Sequence, residues 1–374
     1  NSLNIFYNKY MISRIIFCTL RDNRGATGGP GGVLFLQKSI LGNKIKNFSC
    51  DYQFNIITLR LGPVKIPLNK ILFYIKFRKI KDAYFFTHDI DTGDLLARMG
   101  KKYSIIYHHQ GPLVEELTNF GKKLSQHKIN QIAQKERNAF IHAQTVHFPS
   151  KGAADMYFSS KNASCSRNEV KISNPLYNII PQVNPVKPDN LNLIYDEKYI
   201  TLFSLGTLTI AKGQDQTVKF IKEFAKVSSK PIRYILVGKG PLKDKLFVEL
   251  DYIKKEIPTF SYIYFDSLPH STIMYIHKIS DIYIMLHRIS IFDFATLEAM
   301  SQSSAIILSK VGGNLDFNKE NNIIYAEDIN NNYTSLNNID IDSLKKKNFN
   351  VFRKFFSREA FIKQYENLFD RKHL

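Results

Sequence analysis

The chain of 374 residues, 44% hydrophobic and 23% charged, has the make-up of a folded globular protein, too long for one ordinary core and sized for two domains. Its 52 Lys and Arg against 33 Asp and Glu leave a net charge of +19, which points to anionic partners (nucleotide phosphates, anionic lipid head groups or nucleic acid) without choosing among them. Cys18, Cys50 and Cys165 lack metal-ligand spacing and cannot all pair, which excludes a disulfide framework and suits a reducing cytoplasm. No apolar run approaches the roughly 18 residues of a membrane span and no signal-peptide core opens the chain, so a soluble or peripheral protein is expected.

Residues 1–12 read as a tag remnant or a frayed start. Ile15 to Leu20 is a short buried strand, and the loop after it holds five glycines in the eight residues from Gly25 to Gly32. Glycine lets backbone approach a ligand closely. With a helix expected over Val33 to Ile40, this is a phosphate-cradle arrangement, although neither GxxxxGK[ST] nor GxGxxG is present, and a flexible lid is the other reading. Leu68 to Lys81 alternates bulky apolar residues with Lys70, Lys76, Arg78, Lys79 and Lys81. Such a helix suits an anionic membrane surface, or else packs its apolar side on a sheet. Ala83 to Thr87 is a strand that leads to Asp89 and Asp91, a D-x-D pair able to hold a divalent metal or to serve as helix cap and turn. Ser104 to Tyr107 is a strand ending in His108-His109-Gln110-Gly111-Pro112, a place where α/β enzymes keep reactive groups. Gln144 to Phe148 is a further strand.

Between Val170 and Val186 the chain turns Pro- and Asn-rich, which marks a linker. The pattern then restarts. Strands are expected at Tyr199 to Ser204, Arg233 to Val237, Tyr262 to Phe265, Ile282 to Leu286 and Ala305 to Leu308, with helices over Asp215 to Lys226, Leu242 to Glu256, Ser271 to Ile279 and from Asp293. Asp293 suits an N-cap, since its carboxylate can accept free N–H groups of the first turn. Val311 to Asn314 reads as a turn, the Asn-rich stretch 328–340 as an exposed loop, and Arg358 to Phe369 as a last helix returning to the first domain. This βα alternation implies a mostly parallel sheet covered on both faces. Ligands of such sheets sit where strand C-termini meet helix N-termini, so a phosphate beside the helix from Asp293, with Glu298 reaching a ribose hydroxyl, is one reading and a surface acid is the other.

Taken in order, Gly206 to Lys212-Gly213, Val237-Gly238-Lys239-Gly240, Phe265 to Pro269, Leu297-Glu298-Ala299-Met300 and Val311-Gly312-Gly313 resemble the signposts of retaining GT-B glycosyltransferases, and Gly31-Gly32 and the histidines after Ser104 to Tyr107 extend the resemblance over nearly the whole chain. The resemblance implies an α/β GT-B fold of two Rossmann-like domains facing each other across a cleft. Residues 1–180 would form the acceptor domain, 181–355 the nucleotide-sugar domain, and 356–374 a helix packing back on the first. It implies that Lys212 binds the diphosphate and stabilises it as leaving group, that Glu298 holds the ribose, and that backbone near Ser267 and Leu268 faces the base. Gly31 and Gly32 would approach the pyrophosphate, and His109 or His108 would hold the sugar's 6-position. Gly238, Lys239, Phe292, Asp293 and Phe294 would complete the donor site. No metal and no cofactor are implied, and the departing phosphate would take the acceptor's proton in a front-face attack.

Three positions depart from that pattern: Ser290 replaces a glutamate, Thr207 an arginine, and Ser303-Ser304-Ala305 the usual G-x-P. The missing arginine removes a phosphate contact worth roughly 1.5–3 kcal/mol, which His287, Arg288 or Lys239 would have to supply. HHQG and SIFD-x-x-TLEAM segments look most like enzymes of bacterial capsule, O-antigen or lipooligosaccharide assembly. The expectation is therefore a cytoplasmic transferase, peripheral at an anionic membrane, that moves a hexose or N-acetylhexosamine from a UDP-linked donor to a glycan or lipid-linked acceptor. The alternative is a non-catalytic subunit binding a glycan or partner transferase. Nucleic acid is not an expected partner, since recognition motifs are missing and the lysines are scattered.

Overall fold

The computed structural model describes residues 12–20, 29–45, 48–53, 59–61, 64–66, 68–119, 121–188 and 196–370. The chain divides into two compact units, Asn1–Ile179 with Arg358–Leu374, and Ile180–Ser357.

In the first unit the chain order is β1 (Arg14–Cys18), α1 (Gly29–Leu41), β2 (Ser49–Gln53), β3 (Leu59–Leu61), β4 (Val64–Ile66), α2 (Leu68–Phe77), β5 (Ala83–Thr87), α3 (Ile90–Arg98), β6 (Tyr103–Ile106), α4 (Leu113–Asn119), α5 (Gln126–Ile141), β7 (Thr145–His147) and α6 (Lys151–Ser159). The main sheet runs β2-β1-β5-β6-β7, all parallel, while β3 and β4 pair antiparallel. Side chains alternate across a strand, so β1 is buried on both faces. Ile15 and Phe17 join Leu34 and Leu41 of α1, whereas Ile16 and Cys18 join Phe73 and Phe77 of α2.

The second unit runs β8 (Ile200–Leu205), α7 (Gln214–Val227), β9 (Ile232–Val237), α8 (Lys243–Glu256), β10 (Phe260–Phe265), α9 (His270–Ile279), β11 (Ile282–Met285), α10 (Phe294–Ser301), β12 (Ala305–Leu308), β13 (Ile324–Tyr325), α11 (Ala326–Ile329) and α12 (Ile341–Val351). Its parallel sheet has the order β10-β9-β8-β11-β12-β13. From β8 the chain winds one way to β10, then crosses back to β11 and winds the other way. The crevice between β8 and β11 is thus the switch point where open α/β sheets take ligands. The final helix α13 (Arg358–Leu368) belongs to the first unit, where Phe361, Tyr365 and Phe369 bury against Phe17 and Phe86 of the sheet.

Several expectations need correction. Gly31 and Gly32 lie inside α1, not in a loop ahead of it. Pro30 explains the early start, because its fixed φ and missing N–H suit a first helical turn. The remainder of the glycine-rich stretch, 24–28, lies outside the described residues. Val311 is followed by a 3-10 helix, Gly312–Phe317, instead of a simple turn, and stretch 328–340 contains another, Tyr333–Asn338, held by buried Ile329 and Leu336. Helix α2 is neither wholly packed nor wholly free: Phe73 and Phe77 are buried, while Ile71, Leu72, Tyr74 and Ile75 are each more than 40% exposed.

Candidate functional site

The switch-point crevice of the second unit is bounded by the loops that follow β8 and β11. Glycines in the left-handed region shape the loop after β8 and the neighbouring loop after β9. Gly213, at φ 72° ahead of α7, lies so near the chain after β11 that a Cβ would stand 1.8 Å from the Leu286 carbonyl oxygen. Gly238, at φ 150°, leaves room for the Gly206 carbonyl, which a Cβ would meet at 1.9 Å. Any side chain would push these loops apart, so close backbone approach is built in.

Into this crevice comes Lys212. Its Nζ donates to Asp293 Oδ1 at 2.6 Å. Asp293 is the N-cap of α10, and its other oxygen accepts the Thr296 backbone N–H at 3.1 Å and the Thr296 hydroxyl at 3.3 Å. Buried His287 stands 3.6 Å from Asp293 Oδ1. Burial alone would raise the Asp293 carboxyl, but the Lys212 charge and His287 together hold it well below the usual carboxylate range. Burial holds His287 below its ordinary value, hence neutral at pH 7. The chain therefore carries its own carboxylate on the cation and helix N-terminus that would attract a phosphate.

On the second turn of α10, Glu298 has its Oε1 accepting from His270 Nε2 at 2.7 Å. His277, two turns along α9 from His270, lies beneath with Nε2 3.9 Å from Glu298 Oε2, beyond hydrogen-bond reach. It packs edge-on to Phe203 with both ring nitrogens unpartnered, and burial lowers it to about 3. His270, by contrast, is raised by its bond to Glu298.

The other donor-site residues fall differently. Arg288 forks onto Asp215 through two contacts of 2.7 Å and donates to the Ile210 carbonyl at 2.8 Å. It is thus tied to α7, a partnership the sequence did not suggest. Thr207 and Lys239 are exposed, Leu268 and Phe294 half-buried. Ser290 is buried, with its hydroxyl unpartnered and its carbonyl accepting from Gly313 N–H at 2.8 Å. Phe292 corrects an expectation: it is a core residue, stacked on Phe317 at 4.4 Å and edge-on to Phe356, because its side chain turns beneath the loop.

In the first unit, His108 Nε2 and His88 Nδ1 are 3.2 Å apart in stacked rings, and His88 Nε2 reaches Gln37 Oε1 at 2.8 Å. With Gln37 accepting, His88 carries its proton on Nε2 and His108 donates to His88. Burial pushes His108 down to about 3 and His88 well below its ordinary value. His109 Nδ1 instead pairs with Glu116 Oε2 at 3.1 Å, and this side chain is 13% exposed. Asp89 serves as the N-cap of α3, accepting from Thr92 and from the Thr19 hydroxyl at 2.6 Å, and Asp91 pairs with Lys70 and Lys135. Both D-x-D carboxylates are thus engaged in folding contacts. His270, His277 and His88 were not anticipated from sequence. The first two share a helix face at i and i+7, a signal that could have drawn notice.

Comparison with known proteins agrees with this architecture. Residues 192–351 match the family model described as Glycosyl transferases group 1. No curated protein matches significantly in sequence. Among solved structures, the fold is similar to the sucrose-phosphate synthase of Thermosynechococcus elongatus, with a TM-score of 0.66 at 14% identity over 96% of this chain and 98% of that one. It is also similar to Anabaena HepE in complex with UDP-glucose, with a TM-score of 0.59 at 14% identity over 95% and 99%. The pneumococcal O-GlcNAc transferase GtfA, in complex with UDP and GlcNAc, gives a TM-score of 0.54 at 13% identity, covering 81% of this chain and 60% of that one.

Proposed function

We propose, on the premise that this chain is a GT-B glycosyltransferase whose second unit carries a glycosyl transferases group 1 domain, that it moves a hexose or N-acetylhexosamine from a UDP-sugar to a growing capsule, O-antigen or lipooligosaccharide chain. The observation that carries this reading is the placement of Lys212, Asp293 and Glu298 together at the switch point of the second sheet. Lys212 and the α10 N-terminus take the diphosphate, and Glu298 takes the ribose hydroxyls. As the bond from the sugar's anomeric carbon to phosphate oxygen breaks, Lys212 neutralises the charge that develops on the leaving group. The acceptor hydroxyl attacks on the same face, and its proton passes to the departing phosphate, which retains the anomeric configuration. Lys212 supplies the positive charge at the leaving group, so the reaction proceeds without a metal. His109, or His108, holds sugar hydroxyls.

The exposed Ile71, Leu72, Tyr74 and Ile75 of α2, fringed by exposed Lys76, Arg78 and Lys79, support docking on an anionic membrane at its inner face. No helix among the described residues is long and apolar enough to cross a membrane. Incubation of purified protein with a panel of UDP-sugars, with and without EDTA, tests the assignment. Slow UDP release from one donor, insensitive to EDTA and lost in Lys212→Ala, is the expected outcome, and product NMR reads the anomer. A second reading, a non-catalytic subunit, is favoured by one observation: Asp293 occupies Lys212 and the helix N-terminus. Absence of UDP release with every donor, in protein that binds a partner transferase, would select it.

A further inference from the structure

We propose that His270 is a positioning residue for the nucleotide donor, fixing the Glu298 carboxylate so that one oxygen is held by the protein and the other is presented to the ribose. This rests on the reading of Glu298 as the ribose ligand. The geometry is specific. His270 is the first residue of α9, and its Nε2 reaches Glu298 Oε1 across the helix–helix contact at 2.7 Å. Since a carboxylate only accepts, the imidazole is the donor in either protonation state that carries hydrogen on Nε2.

The second oxygen is left differently. Among the described residues the carboxylate's hydrogen bond is the one from His270 to Oε1, and His277 stops 3.9 Å short of Oε2. His277 instead backs the carboxylate with a neutral, fully buried ring, which closes that side without claiming the oxygen. Glu298 itself is 8% exposed, so it has little freedom to find another arrangement. The titratable groups facing His270 are Glu298 from α10 and His277 from its own helix.

A glutamate has three side-chain torsions, and a ligand that must order them binds less tightly than one that finds them ordered. His270 does that ordering before the nucleotide arrives. It touches no substrate, so its removal should weaken binding through the ribose contact alone. His270 is partly exposed, and its loss leaves no cavity in the core.

The test is the affinity of the full chain for UDP and for 2′-deoxy-UDP, by calorimetry, in wild type, Glu298→Gln, His270→Ala and His270→Gln. Wild type should prefer UDP. Glu298→Gln and His270→Ala should each lose about tenfold in UDP affinity, as expected for one charged hydrogen bond, with 2′-deoxy-UDP hardly changed. His270→Gln, whose amide can donate to the same oxygen, should recover part of the preference. Any kcat measured for His270→Ala should hold while KM rises. If Glu298→Gln abolishes the preference and His270→Ala keeps it, His270 has no positioning role and the ribose reading of Glu298 stands. If Glu298→Gln leaves the preference intact, or wild type binds neither nucleotide, the ribose reading fails and the role of His270 falls with it.

Discussion

Lys212 and Asp293 set up a competition that decides how a donor would bind. The carboxylate neutralises the lysine at 2.6 Å and caps α10 through Thr296. A diphosphate arriving there meets a like charge 8% exposed, where screening is weak. Asp293→Asn should therefore raise the affinity for UDP several-fold, since asparagine still caps a helix but no longer claims Lys212 or repels phosphate. Titration calorimetry would detect the gain, and a loss of affinity would show instead that Asp293 is needed to orient the lysine. The parts of the site that follow from local chemistry were legible in the sequence: an N-cap ahead of an apolar helix, a lysine before a glycine turn, and a glutamate in the second turn. The histidines around Glu298 and His108 were not, because His270, His277 and His88 gain meaning only when helices and strands remote in sequence approach. Phe292 was misread for the converse reason. Its neighbour Asp293 meets Lys212 in the crevice, whereas its own ring packs on Phe317 and Phe356.

Among elements, the loops around Gly213 and Gly238 are the least tolerant of change. Gly213→Ala would combine a left-handed φ with a Cβ 1.8 Å from a backbone oxygen, and should cost about 2–3 kcal/mol or more. Urea denaturation of the purified variant would measure it, and a loss under ~0.5 kcal/mol would refute the packing described. Helix α2 makes a different prediction. Ile71→Ser with Ile75→Ser should reduce co-sedimentation with phosphatidylglycerol vesicles about tenfold or more while leaving urea stability and UDP binding unchanged, because both side chains are 55% exposed. Strands were the easiest elements to read. Ala83–Thr87 and Ala305–Leu308 fall where their apolar runs fall, since strands buried on both faces announce themselves as continuous hydrophobic stretches. β2 was missed, its Ser49–Gln53 being an edge strand with polar residues. Gly31 and Gly32 were misplaced because glycine is a poor helix former, and Pro30 outweighs that preference at a helix start.

Over the whole molecule, buried neutral histidines govern the response to acid. His108 and His277 are lowered to about 3 and His147 to about 4, each by burial. In the unfolded chain they protonate below about 6.5. Stability is therefore complete above that pH and falls as pH drops from about 6.5 toward the folded values, by about 1.4 kcal/mol per pH unit for each such histidine. Asp293, held low in the folded state, adds a further loss only when pH falls below about 4. Urea midpoints at pH 7.5 and 5.5 should show this loss, and His277→Phe should reduce it by the share of one histidine; a midpoint that does not change between those pH values would contradict the burial of neutral histidines. The mostly parallel sheets were legible in the βα alternation, whereas the reversal of winding at β8 and β11 was not, because strand order depends on contacts remote in sequence.

The most direct measurement of the central claim is a thermal-shift titration with UDP, with and without EDTA, in wild type and Lys212→Ala. A ligand that binds only the folded state raises Tm by mass action, and about 2.7 kcal/mol of stabilisation is expected at a hundredfold excess over Kd. The account predicts a concentration-dependent rise in wild type that EDTA leaves unchanged and that Lys212→Ala abolishes. A rise of equal size in Lys212→Ala, or none in wild type, would contradict it.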